Sequence, residues 1–126
     1  MSSQKQILTI ASILGFLAVA IGAFGAHALK PLLTENNRLD TFELAVRYHF
    51  YHVFALLAVG ILASKINSKY LRPSAICFLT GILLFSGSLY FLAILNITLF
   101  AIATPFGGVF LLAGWGFLFY AVRKEY

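Results

Sequence analysis

The sequence has very few charged residues, and this scarcity excludes an ordinary soluble domain. Only 10% of the 126 residues are Asp, Glu, Lys or Arg, whereas 61% are hydrophobic. The mean hydropathy is +0.93. A soluble domain has about 25% charged and about 45–50% apolar residues. A chain this small has too little interior to bury so much apolar surface, so the composition indicates an integral membrane protein.

Cysteine and acidic residues are also scarce, and this excludes several kinds of site. The single Cys77 can form neither an intrachain disulfide nor a multi-cysteine metal site. The four acidic residues suggest no catalytic pair, and no glycine-rich phosphate loop follows a strand. The nine basic residues are scattered, so the net charge of +5 does not indicate nucleic-acid binding. We therefore expect no catalytic residue, metal, cofactor or nucleic acid, and the lipid bilayer as the main partner.

Long uncharged runs predict the membrane spans, because a spanning helix needs about 20 apolar residues. Residues 7–29 form one such run, and residues 48–64 form a second that residues 41–47 extend. Residues 73–122 are also uncharged, but as one helix they would be about 75 Å long, so they must fold back once. Thr104 followed by Pro105 is typical of a helix start. The sequence predicts one membrane domain with transmembrane helices at about 7–28, 41–64, 73–95 and 105–122.

Short linkers between these helices predict an all-α, four-helix bundle in which sequential neighbours are antiparallel. The charge distribution predicts its orientation. The two termini and the linker between the second and third helices share one side and carry Lys5, Lys65, Lys69, Arg72, Arg123 and Lys124. Basic residues are enriched on the cytoplasmic side of membrane proteins. We therefore expect both termini to be cytoplasmic, in the cell inner membrane.

Small residues recur along the first helix and predict close helix packing. Ala11, Gly15, Ala18, Gly22 and Gly25 are spaced by 3.5 residues on average. In lipid, such residues let helix backbones approach closely. The glycines expected at helix contacts are Gly15, Gly22, Gly25, Gly81, Gly87, Gly107, Gly108 and Gly114. Trp115 is an ordinary candidate for the cytoplasmic half or the aromatic belt.

Polar side chains within predicted spans are costly and therefore mark candidate functional positions. They are concentrated toward the outer half of the predicted bundle. His49 and His52 are three residues apart and share one face of their helix. The candidate polar centre comprises His27, Tyr48, His49, His52, Ser86, Ser88, Tyr90 and Thr104.

Several functions would use such a centre. Histidines suit a metal or haem, although no HxxxH or HExxH motif occurs and two histidines on one helix cannot ligate opposite haem faces. His and Tyr beside aromatic walls suit a quinone or a lipid headgroup. An oligomer could also carry a small solute or a proton. Alternatively, the histidines only hold the bundle together. The sequence favours a small binding or assembly protein that contacts another membrane subunit or a second copy of itself.

Five short blocks give the sequence a family resemblance. They are Gly22-Ala-Phe-Gly-Ala-His-Ala-Leu29, Tyr48-His-Phe-Tyr-His52, Leu84-Phe-Ser-Gly-Ser-Leu-Tyr90, Thr104-Pro-Phe-Gly-Gly108 and Ala113-Gly-Trp115. In this order they touch all four predicted helices. The sequence resembles the YgdD-type family of small inner-membrane proteins, a domain of unknown function (family 423) with mitochondrial transmembrane relatives. The resemblance implies a four-helix membrane protein without an established activity. The positions that match the family pattern are His27, Tyr48, His52, Ser86, Gly87, Ser88, Tyr90, Thr104, Pro105, Gly107 and Gly108.

Overall fold

The computed structural model describes residues 2–126 of the chain, and this part contains helices but no strand. The α-helices are α1 (Ser2–Ala26), α2 (Lys30–Glu35), α3 (Leu39–Leu62), α4 (Leu71–Gly81), α5 (Gly87–Leu95) and α6 (Ala103–Glu125). A π-helix at Ile82–Ser86 joins α4 to α5, and a 3-10 helix at Thr98–Ile102 precedes α6.

Four helical segments of this described part are long and apolar enough to cross a membrane. They are Ser3–Ala26, Leu39–Leu62, Leu71–Leu95 and Thr98–Glu125. The predicted all-α class with four spans is therefore confirmed. The first helix begins at Ser2, before the apolar run that starts at Ile7, because polar residues can continue a helix beyond its apolar part.

The helix α2 was not predicted, and it covers one end of the bundle. Pro31 lies in its first turn, where the missing N–H has no helical partner to lose. Leu33 is fully buried against Phe42 and Ala93. The side-chain amide of Asn36 donates to the carbonyl oxygens of Ala93 at 2.9 Å and Ile94 at 3.2 Å. These contacts hold α2 against the end of α5.

Sequential spans form the main helix contacts. α1 packs against α3, α3 packs against the segment from α4 to α5, and that segment packs against α6. The core between them contains Leu56, Val59 and Phe78. We call the end with both termini and the linker 63–70 the basic end, and the end with α2 and the 3-10 helix the loop end. At the basic end, Gln4 Nε2 donates to the carbonyl oxygen of Gly60 at 3.1 Å.

Most of the candidate packing glycines lie against a neighbouring helix. A Cβ at Gly107 would collide with the backbone of Leu84 and Phe85 in the π-helix. A Cβ at Gly15 or Gly22 would lie in ordinary contact with α3, 3.4 Å from a valine methyl. Those at Gly25, Gly81 and Gly114 would overlap Phe42, Leu111 and Phe78, respectively.

Gly87 and Gly108 have more space around them than the other candidate glycines. No atom lies within 4 Å of a Cβ built at Gly87, and the nearest atom at Gly108 is a Phe85 ring carbon at 3.9 Å. The π-helix has a wider turn than an α-helix, so it rotates α5 relative to α4. Gly87 is the first residue after the π-helix, so its face does not follow from the regular helix before it.

Candidate functional site

His52 connects α3 to α6 through both of its ring nitrogens. Nδ1 lies 2.7 Å from the carbonyl oxygen of Tyr48, and Nε2 lies 3.1 Å from Nε1 of Trp115. An indole N–H can only donate and a carbonyl oxygen can only accept. His52 is therefore a neutral imidazole with its proton on Nδ1. A metal or haem iron could bind Nε2 only after the bond to Trp115 broke.

Trp115 lies deep in its span and not in an aromatic belt at the end of the helix. It lies about 18 Å along α6 from Ala103, near the middle of the helix. An indole N–H at this depth needs a protein partner, because hydrocarbon offers none. The position of a lone tryptophan in the middle of a span is the signal that would have identified it as a site residue.

His49 connects α3 to α5 and leaves one nitrogen unpaired. Its Nδ1 lies 2.8 Å from the hydroxyl oxygen of Tyr90. The side chain is only 3% exposed, and Nε2 has no hydrogen-bond partner within residues 2–126. The backbone of Leu14 in α1 lies close to the ring, but it forms no hydrogen bond with Nε2. Leaving such a group unpaired costs about 1–3 kcal/mol.

Three serines tie the third span to its neighbours. Ser86 Oγ donates to the carbonyl oxygen of Ala45 at 2.8 Å, which connects the π-helix to α3. Ser88 Oγ lies 2.6 Å from Thr104 Oγ1 on α6. Ser74, which is not among the predicted polar residues, donates to the carbonyl oxygen of Gly114 at 2.8 Å. These bonds satisfy polar groups within the spans and give the serines a structural role.

His27 lies apart from these groups. α1 ends at Ala26, so His27 belongs to the turn before α2, where its side chain is exposed. His49 and His52 lie about 15 and 20 Å along α3 from Leu39, on either side of its middle. The candidate polar residues therefore form several separate hydrogen-bonded groups instead of one centre. Residues 2–126 contain no group of three or more His, Cys, Asp or Glu that could hold a metal ion.

A groove of about 610 Å³ opens beside His52, between α3 and α6. Its walls include Tyr48, Tyr51, Phe85 and Trp115, and we call it the tyrosine groove. Gly108, which lacks a side chain, lies on its α6 side. The ring of Tyr48 lies 5.0 Å from that of Phe85 and 5.4 Å from that of Tyr51, measured between ring centroids.

Two tyrosines on the wall of the tyrosine groove have hydroxyls without a hydrogen-bond partner in the part of the chain that the structure describes. Tyr48 and Tyr51 are 36% and 52% exposed, and neither hydroxyl takes part in the hydrogen bonds formed within residues 2–126. The polar groups of His52 and Trp115, in contrast, are already paired. The Trp115 N–H donates to the lone pair of His52, and the His52 N–H donates to the backbone carbonyl of Tyr48. The groove is therefore largely aromatic, and the two tyrosines on its α3 side have hydroxyls without a partner in this part of the chain.

Comparison with known proteins decides the family. A family model described as "Protein of unknown function (DUF423)" matches residues 21–108. The chain belongs to this family. The match includes His49, His52 and Tyr90, whereas Trp115 lies beyond it.

Relatives cover nearly the whole chain. A UPF0382 membrane protein of Haemophilus influenzae is 41% identical over 122 residues, which are 97% of each chain. The UPF0382 inner membrane protein YgdD of Escherichia coli is 37% identical over 92% of this chain and 88% of its own length. The UPF0382 membrane protein YwdK of Bacillus subtilis is 35% identical over 96% of this chain and 98% of its own length. No solved structure matches the chain. The resemblance to the YgdD-type family is confirmed, and this DUF423 chain is a membrane protein.

Proposed function

We propose that this protein binds a lipid-dissolved molecule with a flat, carbonyl-bearing ring, such as a quinone, in the tyrosine groove. The observation that carries the proposal is a groove of about 610 Å³ whose aromatic walls include two tyrosines, with hydroxyls that have no partner within residues 2–126. Sites for small molecules usually have about 300–1,000 Å³, mostly apolar walls and a few polar groups. The groove has each of these properties.

The two hydroxyls favour a ligand with hydrogen-bond acceptors. Tyr48 and Tyr51 lie about 14 and 18 Å along α3 from Leu39, far from either helix end. A hydroxyl that faces hydrocarbon at this depth loses its hydrogen bonds to water, which is unfavourable. Ring carbonyl oxygens would accept from these hydroxyls while the ring packs against Phe85 and Trp115.

Binding without covalent chemistry is the function that the groove supports. His52 is the only histidine on its walls, and both of its ring nitrogens are already hydrogen-bonded. It has no free lone pair with which to act as a base or as a metal ligand. The tyrosine hydroxyls would hold and orient a ligand.

The sole tryptophan of the chain gives a direct test, because Trp115 lines the groove. The purified protein in mild detergent is titrated with decylubiquinone while Trp115 fluorescence is recorded. We expect saturable quenching, and at least a fivefold weaker apparent affinity in the double variant Tyr48→Phe, Tyr51→Phe. Tyr120→Phe, on α6 outside the groove, is the matched control and should titrate like the parent. Quenching that stays linear, or that is equal in all variants, would show partition into the micelle and reject the proposal.

The proposed setting is the inner membrane, with both termini in the cytoplasm. The Escherichia coli relative is named as an inner membrane protein. Six basic residues and only Glu125 among the acidic ones belong to the basic end. The positive-inside rule then favours a cytoplasmic basic end. A reporter fused after Tyr126 that is active only in the periplasm would overturn this orientation.

Association with a second copy or another membrane subunit is a second candidate function, and the outer helices favour it. In their most apolar windows, the first and fourth spans have 22% and 17% of residues buried, against 44% in each of the two central spans. α1 and α6 therefore offer the largest surfaces to a partner. Crosslinking from positions on α6, followed by mass determination, should give a discrete complex; monomer alone would reject this function.

A further inference from the structure

We propose that the basic end of the bundle holds an anionic phospholipid in a cleft between α1 and α4. This cleft has a volume of about 140 Å³. It is distinct from the tyrosine groove, because α1 contributes no residue to the tyrosine groove and α6 contributes none to this cleft. The proposal therefore does not rest on the proposed function.

The cleft is polar at one end and apolar along its length. Ser3, Gln6 and Arg72 lie at its outer end, and Ile7, Ile10 and Leu79 lie further in. α1 and α4 both begin at the basic end and run in the same direction, so their polar first turns are side by side. From Ser3 to Ile10, and likewise from Arg72 to Leu79, the helix rises about 10 Å. A phospholipid has the same order, with its phosphate at the surface and its acyl chain below.

The cleft is large enough for an acyl chain but too small for a helix of another protein. α1 and α4 are not among the closely packed helix pairs, and Leu56 of α3 lies between them on the cleft wall. A helix is about 10–12 Å across and could not enter a cleft of 140 Å³. A single alkyl chain is much thinner and would fill the space beside Ala75 and Ile76.

The positive charge of Arg72 at the mouth of the cleft favours an anionic headgroup. Arg72 is exposed there, and its planar guanidinium can donate two parallel hydrogen bonds to a phosphate. The hydroxyl of Ser3 and the amide of Gln6 offer further donors. Lys5 and Lys69 also belong to the basic end and raise the local concentration of anionic lipid. The shape explains why a lipid binds, and the arginine explains why an anionic one is preferred.

The test compares two lipids with the same acyl chains, one with an anionic headgroup and one with a zwitterionic headgroup. The full chain in neutral detergent is supplied with dioleoyl phosphatidylglycerol or dioleoyl phosphatidylcholine. Native mass spectrometry counts bound lipid, and circular dichroism follows thermal unfolding. We expect one retained phosphatidylglycerol and a higher Tm with this lipid, but no comparable effect of phosphatidylcholine. Glycerol 3-phosphate, which has no acyl chain, should have no effect; if it stabilises the protein as well as the lipid does, a free phosphate is the ligand and the lipid proposal fails.

Matched variants test the position of the site. Arg72→Gln should weaken phosphatidylglycerol retention at least fivefold, whereas Arg123→Gln, with the same charge change at the same end but outside the cleft, should retain it. Ile76→Trp should also weaken retention without changing charge, since Ile76 is 53% exposed and its substitution leaves the core intact. Equal losses in Arg72→Gln and Arg123→Gln, or no loss in either, would overturn the proposal. If Arg72→Gln does not fold, Arg72→Lys replaces it, because lysine keeps the charge but cannot donate two parallel hydrogen bonds to one phosphate. This variant should bind phosphatidylglycerol at least threefold more weakly than the parent. Binding equal to that of the parent would overturn the site.

Discussion

The indole N–H of Trp115 donates to Nε2 of His52 across 3.1 Å, and this bond fixes the proton of His52 on Nδ1. The same Nδ1–H then donates to the carbonyl oxygen of Tyr48. One histidine thereby joins α6 to the middle of α3 and forms part of the wall of the tyrosine groove. Histidine often binds metals or transfers protons, but here both ring nitrogens of His52 form structural hydrogen bonds between α3 and α6. The two bonds fix the orientation of the histidine ring in the wall of the groove.

Removal of the indole donor should destabilise the protein. Trp115→Phe keeps an aromatic ring but leaves Nε2 of His52 buried and unpaired. We expect the free energy of unfolding to fall by about 2–4 kcal/mol, from the lost donor and the smaller ring. Tyr120→Phe on the same helix should change it by less than about 0.5 kcal/mol. Denaturant titration in mixed micelles, followed by circular dichroism, measures both.

The protonation state of His52 can be observed directly. Nitrogen-15 NMR of histidine-labelled protein should show His52 as a neutral ring protonated at Nδ1, with an Nε2 shift typical of an unprotonated acceptor. The assignment follows from loss of this signal in His52→Gln. A spectrum with the proton on Nε2 would contradict the hydrogen-bond arrangement between Trp115 and Tyr48.

The pair formed by His49 and Tyr90 predicts a non-additive result. Tyr90→Phe should lower the free energy of unfolding by about 1–3 kcal/mol, because Nδ1 of buried His49 then loses its partner. His49→Leu should have a similar effect, since it leaves the Tyr90 hydroxyl unpaired. The double variant removes both polar groups and should be more stable than the sum of the two changes predicts, by about 1 kcal/mol or more. Additive effects in unfolding experiments would mean that the 2.8 Å contact contributes no coupling energy.

The sequence was sufficient for the class of the fold but not for the grouping of its polar residues. Uncharged runs and short linkers predict four antiparallel spans because lipid demands long apolar helices. His27 lies at the end of the first span as predicted, but its exposed position in the turn after α1 separates it from the polar residues of α3. The partner of His52 could not be predicted, because the rotation of α6 about its axis depends on packing in three dimensions. The π-helix at Ile82–Ser86 could not be predicted either, because nothing in the uncharged run marks where the turn widens.

Close contact between α6 and the π-helix makes Gly107 the most sensitive glycine of the bundle. A Cβ at this position would meet the backbone of Leu84 and Phe85, which cannot move aside as a flexible side chain could. We expect Gly107→Ala to lower the free energy of unfolding by about 2–3 kcal/mol or to prevent folding, because overpacking forces α6 away from the third span. Gly116→Ala is the matched control, since it lies on the same helix and a Cβ there meets no atom within 4 Å. Alanine favours a helix over glycine by about 1 kcal/mol, so Gly116→Ala should be neutral or stabilising. Equal melting temperatures of the two variants would show that α6 does not approach the π-helix as closely as the structure shows.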